Sequence, residues 1–522
     1  MTDVLVVGAG PVGLTLTHEL LRRGVRVRLI DSADGPSVTS RALATHARSL
    51  EIYDQMGIVD RVLARGRRVQ HFTMHQRGRR LVRFGPDYSE LPTRFPFTLV
   101  IDQALTEEVL REAVEGLGTA VEWGVRLEDL RQNDTEAIAT LRRADGSSEQ
   151  VRTPWLVGCD GGHSTVRKRL ELPLIGDSSE RWLIADASVE VDLPTDSLHL
   201  MHLKGGTIML VPFPQEGRWR LLDTVDVSYD GDKEALAARF ADKIRTGCGL
   251  PATVRDLTWV SVFDIQQRMI PRMRDGRCFV AGDAAHVHSP ASGQGLNTGV
   301  QDAFNLAWKL AMVVRGHARD PLLDSFSAER VPVGRALLDT TKTATRMVAL
   351  KSAVQGVALP IAFAVIRNTP PLKGKIERKI MRGMTALALR YDDSPLTHAG
   401  TDPAARGPRP GGRVTEVTEA DAAQPGWSAL LAQLRDGRWT LAVTADADRH
   451  LVSAVGKEHA DWLSPHVVDE VVRRGLGLAS QGWLLVRPDG YVSDRGERLD
   501  PAALTAAFAR LHLSAALTDP VR

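Results

Sequence analysis

The first thirty-one residues alternate between apolar and polar stretches in a pattern that predicts one strand–helix–strand unit. A short apolar run at Val4–Val7 has the length of a buried strand. Leucines then recur at helical spacing as far as Leu21, and Gly24 ends that helix. A second apolar run, Val25–Ile30, ends at Asp31. This order predicts the start of a Rossmann-like α/β domain.

Further along the chain, the pattern predicts an insertion, a linker and a separate C-terminal unit. Residues 176–267 alternate like antiparallel strands and carry no nucleotide motif, so we assign them to an inserted substrate-binding β-sheet domain. Residues 1–175 and 268–391 then form the cofactor domain with a helical extension. Residues 392–413 are rich in Pro, Gly and Asp, which predicts a linker. Residues 414–522 form the C-terminal domain.

Two segments after the first unit combine a structural prediction with positive charge. A helix is predicted from near Ala42, with Arg41 and Arg48 on one face. This pair either contacts a phosphate or flavin edge or forms a solvated basic face. Residues 65–83 hold seven arginines and no acid, and a turn near Gly78 predicts a hairpin. We interpret this run as a solvated sheet surface, with attraction of a phosphorylated cofactor as the alternative.

Composition narrows the class of protein. With 522 residues, 43% hydrophobic and 25% charged, and a net charge of +2, the chain is typical of a globular protein without affinity for nucleic acid. Its cysteines, Cys159, Cys248 and Cys278, suit a reducing cytosol, and no signal peptide is predicted. The longest apolar stretch, 347–366, contains Lys351, which disfavours a membrane span. We predict a cytoplasmic protein, monomer or homodimer, without a metal site.

The first strand runs directly into the glycine-rich sequence GAGPVG at positions 8–13. One glycine makes the tight turn, one lets a pyrophosphate approach the backbone, and one lets helix and strand pack closely. The helix N-terminus offers free N–H groups to the phosphates. Asp31 lies 23 residues beyond Gly8, where a carboxylate binds an adenosine ribose. The run predicts a dinucleotide site, and it fits NAD and FAD equally.

Two later motifs also place a carboxylate at the end of a strand. Asp160 follows the predicted strand Trp155–Gly158. Asp283 follows the predicted strand at 279–281, where it can accept hydrogen bonds from ribityl hydroxyls. The glycines of the sequence SPASGQGLNTG, 289–299, let the backbone approach a planar ring, and a helix N-terminus follows.

Together, Gly8-x-Gly10-x-x-Gly13, Cys159-Asp160-Gly161 and Gly282-Asp283 resemble the flavoprotein aromatic hydroxylases, whose fold is typified by para-hydroxybenzoate hydroxylase. The sequence GQGLNTGVQDAFNLAWKL looks more like bacterial polyketide hydroxylases and rifampicin-type monooxygenases. The resemblance covers about residues 1–390, and the tail resembles their thioredoxin-like C-terminal domain without redox cysteines. It implies FAD as the bound dinucleotide.

The resemblance also implies which residues surround FAD. Arg41 and Arg48 would lie against the cofactor, Gln103 near the ribityl chain, and Asp160 near both FAD and NADPH. The full implied set is Gly8, Gly10, Pro11, Val12, Gly13, Asp31, Arg41, Arg48, Gln103, Asp160, Asp283, Pro290, Gly293, Gln294, Gly295, Leu296 and Asn297. Ser292 departs from the family, which often has glycine there.

The implied reaction is monooxygenation of a small aromatic or polyketide molecule. NADPH, or NADH, would reduce FAD, and O2 would form a flavin C4a-hydroperoxide that hydroxylates an electron-rich ring. Baeyer–Villiger oxygenation and epoxidation are alternatives on the same fold, and a non-catalytic flavin-fold binding protein is an alternative of another class. No general base is identified. His286 and His288 are candidate proton carriers, with a structural role as the alternative.

Overall fold

The computed structural model describes residues 2–37, 42–85, 91–289, 293–349, 355–398 and 407–513. The N-terminal part of the chain forms β1 (Val4–Val7), α1 (Pro11–Leu21), β2 (Val27–Ile30), β3 (Ala44–Thr45), α2 (Ala47–Gln55), α3 (Val59–Arg65), β4 (Arg67–Val69), β5 (His71–Gln76), β6 (Arg79–Phe84), β7 (Thr98–Val100), α4 (Gln103–Glu115), β8 (Val121–Glu122), β9 (Arg126–Gln132), β10 (Ala137–Arg142), β11 (Ser148–Thr153), β12 (Trp155–Gly158) and α5 (Thr165–Arg169).

The central part forms β13 (Ile175–Val191), β14 (Ser197–Leu203), β15 (Gly206–Pro212), β16 (Arg218–Asp223), α6 (Lys233–Cys248), β17 (Ala252–Met269), β18 (Arg274–Asp275), β19 (Cys278–Val280), β20 (His286–Val287), α7 (Gly295–Val314), α8 (Asp324–Ala349), α9 (Gln355–Asn368) and α10 (Pro370–Met384). The C-terminal part forms α11 (Glu419–Ala422), α12 (Pro425–Gln433), β21 (Trp439–Val443), α13 (Arg449–Glu458), β22 (Leu463–Val467), α14 (Glu470–Gly475), β23 (Trp483–Val486), β24 (Val492–Gly496) and α15 (Pro501–Arg510).

The cofactor domain is built on a six-stranded sheet in the order β18-β19-β12-β1-β2-β8. Its strands are parallel except β18, and all side chains of β1, β12 and β19 are buried. Continuous apolar strands are typical of a parallel sheet covered on both faces. The predicted α/β class is therefore confirmed, although the second strand begins at Val27, two residues later than predicted.

The helix predicted from near Ala42 is present, but its predicted start is wrong by about five residues. Ala44–Thr45 forms a strand, and the helix begins only at Ala47. The side chain of Asn297 explains the difference, because its Nδ2 donates to the Ala44 carbonyl at 2.8 Å and its Oδ1 accepts from the His46 N–H at 2.9 Å. A side chain 251 positions away from His46 thus holds this backbone extended.

An eight-stranded sheet covers more of the chain than the predicted insertion. Its order is β20-β17-β13-β16-β15-β14-β5-β6, so strands from outside 176–267 extend both edges. The hairpin predicted within 65–83 is confirmed, with Arg77 and Gly78 at φ 51° and 73° in its turn. β5 pairs in parallel with β14, which places the hairpin at one edge of the sheet. One face of the sheet packs against α6.

The C-terminal unit contains a four-stranded sheet in the order β22-β21-β23-β24. β21 is parallel to β22 and antiparallel to β23. Its core continues into the cofactor domain, because the Trp308 ring of α7 meets the Trp439 ring edge-on at 5.4 Å between centroids. The thioredoxin-like relationship of this unit stays a prediction.

The described ends of the predicted linker pack firmly. Arg413 is fully buried, and its Nη1 donates to both carboxylate oxygens of Glu51 in α2, at 2.9 and 2.7 Å. Removing either partner from such a pair leaves an uncompensated buried charge. Residues 407–413 therefore attach to the cofactor domain. Residues 399–406 lie outside the described residues.

A second set of buried charges joins α8 to the C-terminal unit. Arg487 donates to Glu329 at 2.6 and 3.0 Å and to Asp489 at 2.9 and 2.6 Å. Lys309 of α7 donates to Glu329 at 2.7 Å. Charges in a dry interior are stable only when they are paired in this way.

Within the described parts of the chain, no helix combines the length and the hydropathy that a membrane span requires.

Replacing Arg487 by methionine tests this joint. R487M leaves Glu329 and Asp489 buried without their shared cation, so we expect unfolding free energy to fall by about 3–5 kcal/mol in chemical denaturation. R181M is the control, because its partner Asp264 and Arg181 itself are 61% and 67% exposed, and we expect a loss below about 1 kcal/mol. Equal losses of unfolding free energy in R487M and R181M would contradict a stabilising role of the Arg487 ion pairs.

Candidate functional site

Strand ends gather the predicted site. β2, β1, β12 and β19 are neighbours and run parallel, so their carboxyl ends lie at one edge of the sheet. The glycine-rich turn follows β1, Asp31 follows β2, Asp160 follows β12, and Asp283 follows β19. Ligands of open α/β sheets bind in the crevice at this edge. The three motifs are thus brought together.

The glycine-rich turn contains two closely packed glycines and one open glycine. Gly8 has φ +106°, and a Cβ there would overlap the Cys159 carbonyl. A Cβ on Gly13 would overlap the Gly8 carbonyl oxygen. By contrast, no heavy atom of the described residues lies within 4 Å of a Cβ placed on Gly10. Pro11 begins α1, so the unpaired N–H groups at the start of this helix lie next to Gly10.

Asp31 is held against this turn. Its Oδ2 accepts from the Ala9 N–H at 2.7 Å, and its Oδ1 accepts from the Ala33 N–H at 2.8 Å. These bonds fix the carboxylate beside the start of α1, where the sequence predicts the adenosine ribose.

Val12 connects the turn to the third motif. A Cβ on Gly282 or on Gly299 would lie 2.7 or 2.6 Å from the Val12 side chain, so both glycines are needed for this contact. Asp283 is exposed in a short 3-10 turn. Its Oδ1 lies 4.0 Å from a Cβ position on Gly295, the first residue of α7. One crevice therefore contains the starts of α1 and α7 and the Asp283 carboxylate.

The loop before α7 is partly described. Gly293 has φ +62°, and its carbonyl accepts from Asn297 Nδ2 at 2.7 Å. Gln294 is buried, and Leu296 packs against the core of the cofactor domain. Pro290 lies outside the described residues.

Gln103 fastens the segment that precedes β3. Its Oε1 accepts from the Ala42 N–H at 3.0 Å, and its Nε2 donates to Glu107 at 2.8 Å. The residue before Ala42, Arg41, lies outside the described residues. The structure therefore places Gln103 beside the segment that the resemblance assigns to FAD.

Arg48 and Asp160 have structural partners that spacing does not reveal. The buried Arg48 donates to Glu51 at 2.9 Å and to the Asp489 carbonyl of the C-terminal unit at 2.8 Å. Asp160 accepts from Ser164 Oγ at 2.5 Å and from the Thr165 N–H at 2.6 Å, and so caps α5. Burial raises the pKa of Asp160, and these hydrogen bonds oppose that shift. Contact of either residue with a cofactor stays a prediction.

His286 and the half-buried His288 belong to a series of hydrogen-bonded side chains that the sequence did not reveal. His288 Nε2 lies 2.8 Å from His286 Nδ1, and His286 Nε2 lies 2.6 Å from Asp302 Oδ2. Arg330 donates to Asp302 Oδ1 at 2.7 Å. Although burial raises it, the pKa of Asp302 is held at about 2 by Arg330 and His286. One signal in the sequence could have predicted this buried network. It is the helical spacing of three polar residues within the otherwise apolar α7: Asp302, Asn305 and Lys309.

The described residues fit a dinucleotide. The open Gly10 leaves room for a phosphate at the start of α1, and Asp31 and Asp283 offer carboxylates to sugar or ribityl hydroxyls. A family described as "FAD binding domain" matches residues 1–341. 6-Methylpretetramide 4-monooxygenase of Streptomyces rimosus is 53% identical over 99% of this chain and 95% of its own.

The chain belongs to this family of FAD-dependent monooxygenases. A rifampicin monooxygenase of Streptomyces venezuelae is 35% identical over 75% of this chain and 80% of its own. Among solved structures, an anhydrotetracycline hydroxylase from Streptomyces rimosus matches with a TM-score of 0.76 and 27% identity. That match covers 98% of this monooxygenase and 99% of the hydroxylase. The predicted family is confirmed.

Gly10 provides a test of the cofactor position. G10A introduces a methyl group into open space at φ −72°, so we expect the protein without cofactor to keep its melting temperature. If a pyrophosphate approaches this backbone, the methyl group will weaken FAD binding by at least about tenfold, a cost of about 1.4 kcal/mol. The dissociation constant of FAD is measured by titration of its fluorescence. G35A, also open, is the control, and equal FAD affinity in the two variants would contradict the position.

The histidine chain predicts a pH dependence of stability. Burial, with His286 beside it, holds the pKa of His288 well below 6.5. The unfolded chain therefore binds more protons below about pH 6.5, so acidification destabilises the folded protein. H288N removes this contribution, and its unfolding free energy will fall less steeply from pH 6.5 to 5, by at most about 1.4 kcal/mol per pH unit. H450N, which changes an exposed histidine, is the control, and an H288N slope equal to that of H450N would contradict the assignment.

Proposed function

We propose that this monooxygenase hydroxylates a ring of an aromatic polyketide, with FAD as cofactor, NAD(P)H as reductant and O2 as co-substrate. The observation that carries the proposal is the 53% identity along 99% of the chain to a relative named for oxygenating 6-methylpretetramide. In the overall reaction, a ring C–H, O2, NAD(P)H and H⁺ give a ring C–OH, NAD(P)⁺ and water. Bound FAD supplies the electron transfer from the nicotinamide to O2.

The chain's own residues divide the work of holding FAD. The N–H groups at the start of α1 would hold the pyrophosphate beside the open Gly10, and Asp31, fixed by the Ala9 N–H, would hold the adenosine ribose. Asp283 accepts hydrogen bonds from the ribityl chain. The backbone of 293–297, fastened by Asn297 through its bonds to Ala44 and Gly293, would support the flavin ring. The N-terminus of α7 stabilises negative charge that develops there.

The eight-stranded sheet supplies the opposite wall. On the face away from α6, large apolar side chains surround a fully buried Trp182 and remain half-buried themselves: Phe72, Met74, Met209, Trp259 and Phe263. A further cluster joins Met209 and Phe213 of this wall to Leu43, directly before β3. Because Asn297 binds β3, this wall lies near the backbone of 293–297, which we call the flavin loop. An apolar, aromatic wall with few polar groups suits a flat polycyclic substrate.

A buried ion pair offers polar recognition on this wall. Arg220 donates to Asp186 through Nε and Nη2 at 2.7 and 2.8 Å. Its guanidinium group lies 5.1 Å from the Trp259 ring centroid and 5.6 Å from that of Phe213. A charged group among aromatic rings gives the wall a fixed polar position to which an oxygenated ring can be oriented.

Purified protein tests the proposal directly. We expect flavin absorbance, NADPH oxidation stimulated by polycyclic phenols, and a product heavier by one oxygen atom in mass spectrometry. D283A will lose flavin and activity together, whereas D461A, which changes an exposed acid of the C-terminal unit, will keep both.

The other outcomes are equally distinct. A ring-expanded lactone would instead indicate Baeyer–Villiger oxygenation, and an epoxide would indicate epoxidation. A colourless protein that binds phenols without oxidising NADPH would support the non-catalytic alternative and overturn the proposal.

A further inference from the structure

Asp302 and Arg330 bind both flanks of the loop that precedes α7. Asp302 Oδ2 accepts from the Gly282 N–H at 3.1 Å and lies 2.6 Å from His286 Nε2, both on the strand side. Arg330 Nη2 donates to the Thr298 carbonyl, on the helix side, at 3.2 Å. The two side chains also bind each other at 2.7 Å. This buried pair therefore links Gly282 and His286 to Thr298 in the first turn of α7.

Tyr391 connects this pair to a second buried network. Arg330 Nη1 donates to the Tyr391 hydroxyl at 3.0 Å, and Asn305 Nδ2 lies 3.4 Å from the same oxygen. Asn305 also donates to Glu329 at 2.7 Å and lies 3.3 Å from Asp489 Oδ2. One phenolic oxygen thus joins the loop-holding pair to residues of α7, α8 and the C-terminal unit.

The last two members of this network, Arg487 and Asp489, lie in the C-terminal unit. Arg487 binds Asp489 and Glu329 through four hydrogen bonds, and its guanidinium group lies 5.0 Å from the Tyr391 ring centroid. Asp489 also accepts from Trp308 Nε1 at 3.1 Å. Hydrogen bonds between charged, desolvated groups are strong and leave little freedom of position. The segment between β23 and β24 is therefore tied to Tyr391 and, through it, to Arg330.

We propose that Tyr391, Arg487 and Asp489 are positioning residues through which the C-terminal unit holds Gly282 and the first turn of α7 in the relative position that binds FAD. The C-terminal unit then contributes to cofactor affinity without touching the cofactor. The proposal depends on the FAD site of the family and not on the substrate proposed above.

Two tyrosines make the test possible. Tyr391 and Tyr491 are both buried, with ring centroids 4.5 Å apart. The Tyr491 hydroxyl has no hydrogen-bond partner among the described residues, whereas the Tyr391 hydroxyl carries the link. Y391F and Y491F each remove one oxygen atom and keep the ring. Only Y391F removes the hydroxyl that binds Arg330 and Asn305.

FAD affinity and cofactor-free stability are measured separately on the full-length protein. We expect Y391F to bind FAD roughly 5- to 10-fold more weakly than Y491F, within the usual range for coupling between sites, with faster FAD release and altered flavin fluorescence. D489N, on the C-terminal side, will weaken FAD binding in the same direction. It keeps the side-chain volume, so it also carries the test if Y391F does not fold.

Two results would overturn the proposal. One is equal FAD affinity in Y391F and Y491F. The other is a lower melting temperature of the cofactor-free Y391F or D489N protein with FAD affinity unchanged, which would make the network purely structural. A protein that binds FAD normally but oxidises no phenol would overturn the proposed substrate and leave this inference standing.

Discussion

The ion pair between Asp302 and Arg330 is the interaction on which the functional half of the molecule depends. Both groups are at most 1% exposed, and each also binds backbone from the flanks of the flavin loop. A buried charge must be matched by partners of fixed geometry, since water cannot replace them. The pair therefore transmits the position of α8 to the turn before Asp283 and to the start of α7.

Close backbone packing complements these charges. Gly8 and Gly13 bring α1 against the end of β12, and Gly282 and Gly299 accept the Val12 side chain. The crevice at this sheet edge is thus assembled from three parts of the chain that share a van der Waals surface. At this crevice the start of α1 offers unpaired helix N–H groups, which favour anions.

The C-terminal unit is bound to this assembly by charge as well as by apolar packing. Arg413 reaches Glu51 in α2, and Arg487 reaches Glu329 in α8. Trp308 packs on Trp439 and donates to Asp489, so α7 belongs to both cores. Deleting such a unit would expose buried carboxylates as well as apolar surface. This unit is therefore an integral part of the cofactor domain's interior.

The sequence by itself determined the elements whose signals are local. The Gly8–Gly13 turn, the hairpin at Gly78 and the α/β class follow from glycine spacing and hydrophobic period, because those depend on near neighbours. Only the tertiary structure decided the extended backbone at Ala44, the partners of Arg48 and the chain from His288 to Arg487. Each of these depends on a partner distant in sequence, and hydrogen bonds between distant residues leave no periodic pattern in a single chain.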